Sequence, residues 1–148
     1  MRLIVDTSIF VEVDRGNKEV IKVLKKYTIE EDVFISVITI SEILTGAHLR
    51  KNYEIAVEKA KKIMGQMIWI NIDPIIAEKA GEINAYLILN GKKIEFQDVL
   101  IAATSIVLKC DYIITLNKNH FERIPLLKKM ILTPQELKEK FNTNSEPN

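Results

Sequence analysis

The chain has 148 residues, 47% hydrophobic and 28% charged, which is the size and mix of one globular domain with its own core. A formal net charge of +1 gives no bulk positive field for holding nucleic acid, so the placement of charge matters more than its sum. The single cysteine, Cys110, excludes an internal disulfide and suits a reducing compartment.

Residues 3–5 are a short apolar run with β-branched members and predict a buried strand that ends at Asp6. Residues 7–13 then read as helical. Asn17 caps a second helix to about Tyr27, with Val20, Ile21 and Leu24 on one face. Residues 33–37 predict a second strand. Thr39 and Glu42 have the spacing of a capping box and predict a helix to about Leu49. A further helix over 52–64 is expected to bury Ala56, Val57, Ala60 and Ile63. Residues 67–72 predict a third strand, with Trp69 packed in the core unless the strand lies at an edge, where it would be exposed. Asp73-Pro74 opens a helix that carries Ile76, Ala80, Ile83 and Leu87 and stops at Asn90-Gly91. A helix over 96–109, a strand over 112–115 and a loop with Asn117, His120 and Phe121 follow. Residues 130–132 predict a last short strand. Thr133-Pro134-Gln135-Glu136 opens a final helix to about Phe141.

Short strands that are apolar throughout and alternate with helices predict a mostly parallel sheet covered on both faces. The expected fold is a three-layer α/β/α domain over residues 1–141, with about five short strands and a disordered polar tail over 142–148. The N-terminus lacks the pattern of a secretory leader. The longest apolar stretch, residues 99–108, is far below the roughly 20 residues of a membrane span. A cytoplasmic protein without membrane attachment is expected.

Parallel sheets hold ligands beyond the carboxyl ends of their strands. Asp6 ends the first strand, Glu42 lies near the start of the helix after the second, and Asp98 lies near the start of the helix before the fourth. This map puts all three acids on one edge of the sheet. Asp111 starts its strand at the other edge, more than about 10 Å away, and is left out. Each acid alone has a structural reading: Asp6 as a cap, Glu42 as a capping-box partner, Asp98 as an acid favoured at a helix N-terminus. Together they repel unless a cation neutralises them, and a hard divalent ion, Mg²⁺ or Mn²⁺, suits oxygen ligands. No His/Cys cluster for zinc is present.

Four stretches resemble the motifs of PIN domains. The first is Leu3-Ile4-Val5-Asp6-Thr7-Ser8. The second runs from Ser36 through Glu42 to Gly46, the third from Gly91 through Asp98 to Ala103, and the fourth from Ile114 through Asn117 and His120-Phe121 to Ile124. The resemblance implies a Mg²⁺- or Mn²⁺-dependent endoribonuclease in which Asp6, Glu42 and Asp98 hold the metal. It implies in-line attack of water on an RNA phosphodiester with no covalent enzyme intermediate. Short members of this kind resemble VapC toxins, which implies a homodimer and a VapB-like antitoxin whose C-terminal segment reaches the acids. A PIN nuclease of RNA processing without an antitoxin, and a non-catalytic PIN domain that binds RNA or a partner, are the alternatives.

The chain departs from the pattern after the fourth strand. Many members carry a further acid there; this one offers Thr115, Asn117 and Asn119, with no acid before Glu122. Asn117 either ligates through its carbonyl oxygen or caps the loop, and Glu95 either supplies the missing charge or, the preferred reading, is a plain acid of the helix's first turn. Thr7, Ser8, Ser41 and Thr115 are candidates to support the metal site or contact a phosphate. His48 and His120 are read as non-catalytic, with Phe121 plugging the core, and Arg50 and Lys51 as solvent-facing.

Overall fold

The computed structural model describes residues 1–142. Its strands are β1 (Arg2–Val5), β2 (Asp32–Ser36), β3 (Ile68–Ile70), β4 (Tyr112–Ile114) and β5 (Ile131–Leu132). They form one sheet in the order β3-β2-β1-β4-β5, with every pairing parallel. The helices are α1 (Thr7–Asp14), α2 (Lys18–Glu30), α3 (Val37–His48), α4 (Tyr53–Met64), α5 (Pro74–Leu89), α6 (Phe96–Val107), α7 (Lys118–Phe121) and α8 (Pro134–Asn142). The three-layer α/β/α fold with a parallel sheet is therefore as expected.

Strand side chains alternate between the two layers. Ile4, Phe34, Ile113 and Ile131 join a core with α5 and α6. Leu3, Val5, Val33, Ile35 and Ile114 join the opposite core with α1, α2 and Leu137 of α8. From β1 the chain builds outward through β2 to β3, then returns to add β4 on the other flank of β1. Strand order thus reverses between β1 and β4, and the space beyond their carboxyl ends is a topological switch point.

The capping devices explain several boundaries. Asn17 accepts from the Val20 amide, and Asp73 from the Ile76 amide with Pro74 at the first turn. At α8 the box is reciprocal: the Glu136 amide donates to Thr133 Oγ1 and the Thr133 amide to Glu136 Oε2. Gly91 takes φ +62, the left-handed conformation that ends α5.

Other expectations need correction. The second strand stops at Ser36, whose hydroxyl takes the Ile38 amide and starts α3 three residues ahead of Thr39. Thr39 is buried inside the helix, and Glu42 lies in its second turn, not its first. The α4 face is less buried than its periodicity suggests: Ala56, Val57, Ala60 and Ile63 are all partly exposed, and Met64 alone is buried. Trp69 is half-exposed because β3 is an edge strand, with its indole N–H donated to the Met64 carbonyl. The expected loop after β4 contains the one-turn helix α7. The tail expected from 142 onward lies outside the described residues, apart from Asn142, which closes α8. Among the described residues no helix is long and apolar enough to cross a membrane.

Candidate active site

Asp6 leaves β1 with its amide bonded to the Ile114 carbonyl at 3.0 Å, so β1 and β4 hold it between them. It is almost wholly buried, and two hydroxyls fix it. Ser8 Oγ and Thr115 Oγ1 each donate to Asp6 Oδ2 at 2.7 Å. Those hydroxyls are oriented in turn: Ser8 Oγ accepts the Leu116 amide and Thr115 Oγ1 accepts the Asn117 amide. Glu42 reaches across from α3, and Thr7 Oγ1 donates to its Oε1 at 2.8 Å. Asp98, in the first turn of α6, has Oδ2 at 2.7 Å from His120 Nδ1. An ionised carboxylate only accepts, so Nδ1 carries the hydrogen.

All three acids line one cleft of about 490 Å³, together with Thr7, Ser8, Arg15, Glu95, Gln97, Leu116, Asn117 and His120. A common pattern holds among them: the hydrogen bonds fall on one oxygen of each acid. Among the described residues the other oxygen of each acid accepts no hydrogen bond, and none of these oxygens is completely buried.

The electrostatics carry the cost of this crowding. Burial pushes the Glu42 carboxyl above its usual range; the Thr7 hydroxyl opposes this, and the charges of Asp6 and Asp98 add to it. Burial likewise raises Asp98, with the His120 bond opposing and Asp6 and Glu95 adding. Raised carboxyls that feel one another are a site that gains from a cation. The donor set is oxygen throughout, as Mg²⁺ and Mn²⁺ prefer. Among the described residues no three acidic, histidine or cysteine side chains converge on a single point. The arrangement therefore fits an ion held by one or two carboxylates that keeps several waters, the habit of Mg²⁺, and not a closed all-protein cage.

Residues 3–127 match the model of the PIN domain. The chain belongs to the PIN domain family. Its fold is that of PIN proteins in toxin–antitoxin complexes. A chain of the DNA-bound VapBC complex of Salmonella typhimurium superposes with a TM-score of 0.81 at 21% identity, covering 90% of this chain and 98% of that one. FitAcB of Neisseria gonorrhoeae gives 0.76 at 23% identity over 90% and 98%. A toxin–antitoxin complex of Klebsiella pneumoniae gives 0.70 at 26% identity over 90% and 98%. No curated protein matches the sequence.

Within this PIN domain the expected acids share one cleft, lined also by Thr7 and Ser8, and Thr115 bonds to Asp6. Ser41 does not join them: it is exposed on α3 and does not line the cleft, since a helix turns it about 100° away from its neighbour Glu42. Buried Thr39 is the hydroxyl nearer the acids, its Oγ1 lying 3.2 Å from Thr7 Oγ1. Asn117 and Glu95 line the cleft, and neither side chain caps its helix. His120, read from the sequence as non-catalytic, touches Asp98 directly. Its neighbour Phe121 is fully buried, as expected of a core plug. An aromatic anchored next to a polar ring was the signal that could have found His120. Asp111 lies at the opposite edge, accepting from the Arg2 amide. His48 stacks on Tyr53, and Arg50 pairs with Asp14 at 2.7 Å.

Proposed function

We propose that this chain is a Mg²⁺- or Mn²⁺-dependent endoribonuclease that acts as the toxin of a VapBC-type toxin–antitoxin pair. The observation that carries the reading is the opening of Asp6, Glu42 and Asp98 onto one cleft at the switch point between β1 and β4. Asp6, Glu42 and Asp98 would hold the ion, one or two of them directly and the rest through its waters, with Asn117 as a neutral further contact. Such an ion activates water and offsets charge on a phosphodiester. The protein's own part is to fix the acids before substrate arrives. Ser8 and Thr115 lock Asp6, Thr7 holds Glu42, and the sheet keeps their spacing. Asn117 contributes no charge, which favours the non-catalytic alternative if cleavage is absent.

The test is cleavage of a pool of structured and single-stranded RNA by the purified protein with Mn²⁺, with Mg²⁺ and with EDTA. Cutting with either ion and none in EDTA is expected. No cutting by folded protein under any of these conditions would overturn the reading.

An apolar groove adjoins the cleft. Phe10, Val11, Ile43, Ala47, Ala60 and Ile63 line an apolar space of about 190 Å³ between α1, α3 and α4, and Thr7 and Glu42 lie on its border with the acids. This is where the partly exposed face of α4 points. An antitoxin segment laid in this groove would end beside Glu42. Gly46 lines it, with open space where a side chain would go. Gly46→Leu is expected to leave RNA cleavage intact and to abolish co-purification with a partner expressed from the adjoining genes. Undiminished co-purification would remove the groove from the reading.

A further inference from the structure

His120, like Thr7 and Ser8, is both a cleft-lining side chain and the direct partner of an acid, but it meets its acid with a ring nitrogen and not a hydroxyl. Its ring comes from α7, a single turn that follows β4, and the next residue, Phe121, is buried to 0% exposure in the core. Ile124 and Leu127, just beyond, are buried in the same core. The backbone that carries the ring is therefore pinned on its far side. Asp98 approaches from α6, whose own apolar face is buried from Val99 to Ala103. The 2.7 Å contact joins two well-anchored segments 22 residues apart in the chain.

We propose that His120 is a positioning residue that sets the Asp98 carboxylate for a divalent cation, by holding Oδ2 and leaving Oδ1 as the oxygen offered to the ion. The proposal rests on the metal-dependent reading given above. Three features support it. The bond falls on one oxygen only, as it does at Asp6 and Glu42, so each acid is fixed and yet keeps an oxygen that, among the described residues, accepts no hydrogen bond. Asp6 and Glu42 are fixed by neutral hydroxyls, whereas Asp98 has an imidazole in that role. Finally, among the described residues Asp98 has no hydroxyl partner to substitute for the ring; the cleft residues nearest it in sequence are Glu95 and Gln97.

Hydrogen bonds to a ligating carboxylate set its orientation, and losing such a partner costs about 10–100-fold in metal affinity. Three forms separate positioning from packing. His120→Leu keeps bulk and removes the donor. His120→Asn loses the ring and places an amide N–H where Nδ1 stands. Mn²⁺ affinity of each protein is measured by calorimetry without RNA, with thermal melting in EDTA to report folding. The native protein and His120→Asn are expected to bind within a few-fold of each other, and His120→Leu about 10–100-fold more weakly. Native-like binding by His120→Leu overturns the proposal, and so does binding by His120→Asn as weak as that of His120→Leu. If the native protein binds no Mn²⁺, the metal-dependent reading fails and takes this proposal with it. The two failures are thus distinct.

Discussion

Asp98→Asn is expected to abolish RNA cleavage and, in the absence of metal, to make the protein more stable. The loss follows from removing a charged ligand while keeping its shape. Partners of ligands are worth 10–100-fold, so the ligand itself should cost at least about 100-fold in rate. The gain in stability comes from the same carboxylate. Burial and the Asp6 charge raise its folded-state pKa above the ordinary 3.8. Between the ordinary and the raised value the folded state binds more protons than the unfolded state, so stability falls as pH rises through that window. At neutral pH the full penalty is in force. Glu42, raised from 4.5 by burial, adds a penalty of the same sign. Glu136 has the opposite sign, because Lys118 and the Thr133 cap lower its pKa, so its contribution is lost as pH falls. The comparison is therefore variant against native at each pH. In EDTA at pH 7.5 Asp98→Asn should melt above the native protein, and the gap should close toward pH 4. Adding Mn²⁺ at 100 times its Kd should stabilise the native protein alone, by about 2.7 kcal/mol. A variant that melts below the native protein in EDTA, or that cuts RNA at the native rate, would contradict this account.

Phe121→Ala should produce the largest loss of stability and a loss of metal affinity with it. Phe121 is among the largest fully buried side chains and belongs to the core beneath α5 and α6. Truncating a buried phenylalanine costs about 3–5 kcal/mol through lost transfer energy and the cavity left behind. A domain of this size has about 5–15 kcal/mol in total. The melting temperature should fall by roughly 6–20 °C on the usual scaling. Because α7 is one turn long, loosening Phe121 also frees His120. Folded Phe121→Ala at low temperature should thus bind Mn²⁺ more weakly than the native protein. Phe121→Leu, which leaves a smaller cavity, should recover most of both properties. Unchanged Mn²⁺ affinity in folded Phe121→Ala would mean that the core does not hold the ring.

Apolar patterning alone located all five strands and the long helices to within a few residues, because burial on both sheet faces demands unbroken apolar runs. Asn17, Asp73 and the Thr133–Glu136 box marked helix starts correctly, since each cap bonds within its own turn. At α3 the same kind of signal misled. Two hydroxyls compete to cap that helix, and Ser36, still extended at the strand end, meets a free amide before Thr39 does. Periodicity also overstated the burial of α4 and of Trp69, because it reports which face is apolar and not whether another element covers it.

By itself the sequence determined the alternation of strand and helix, the edge on which Asp6, Glu42 and Asp98 stand, and the opposite edge for Asp111. These follow from where strands end, which is local information. Only the tertiary structure decided which side chains hold those acids. Thr115 meets Asp6 across 109 residues because β4 pairs with β1, and His120 meets Asp98 because the turn after β4 lies over the start of α6. A hydrogen bond between layers depends on strand order and on how helices seat against the sheet. Those are set by the packing of the whole core, which no single stretch of sequence contains.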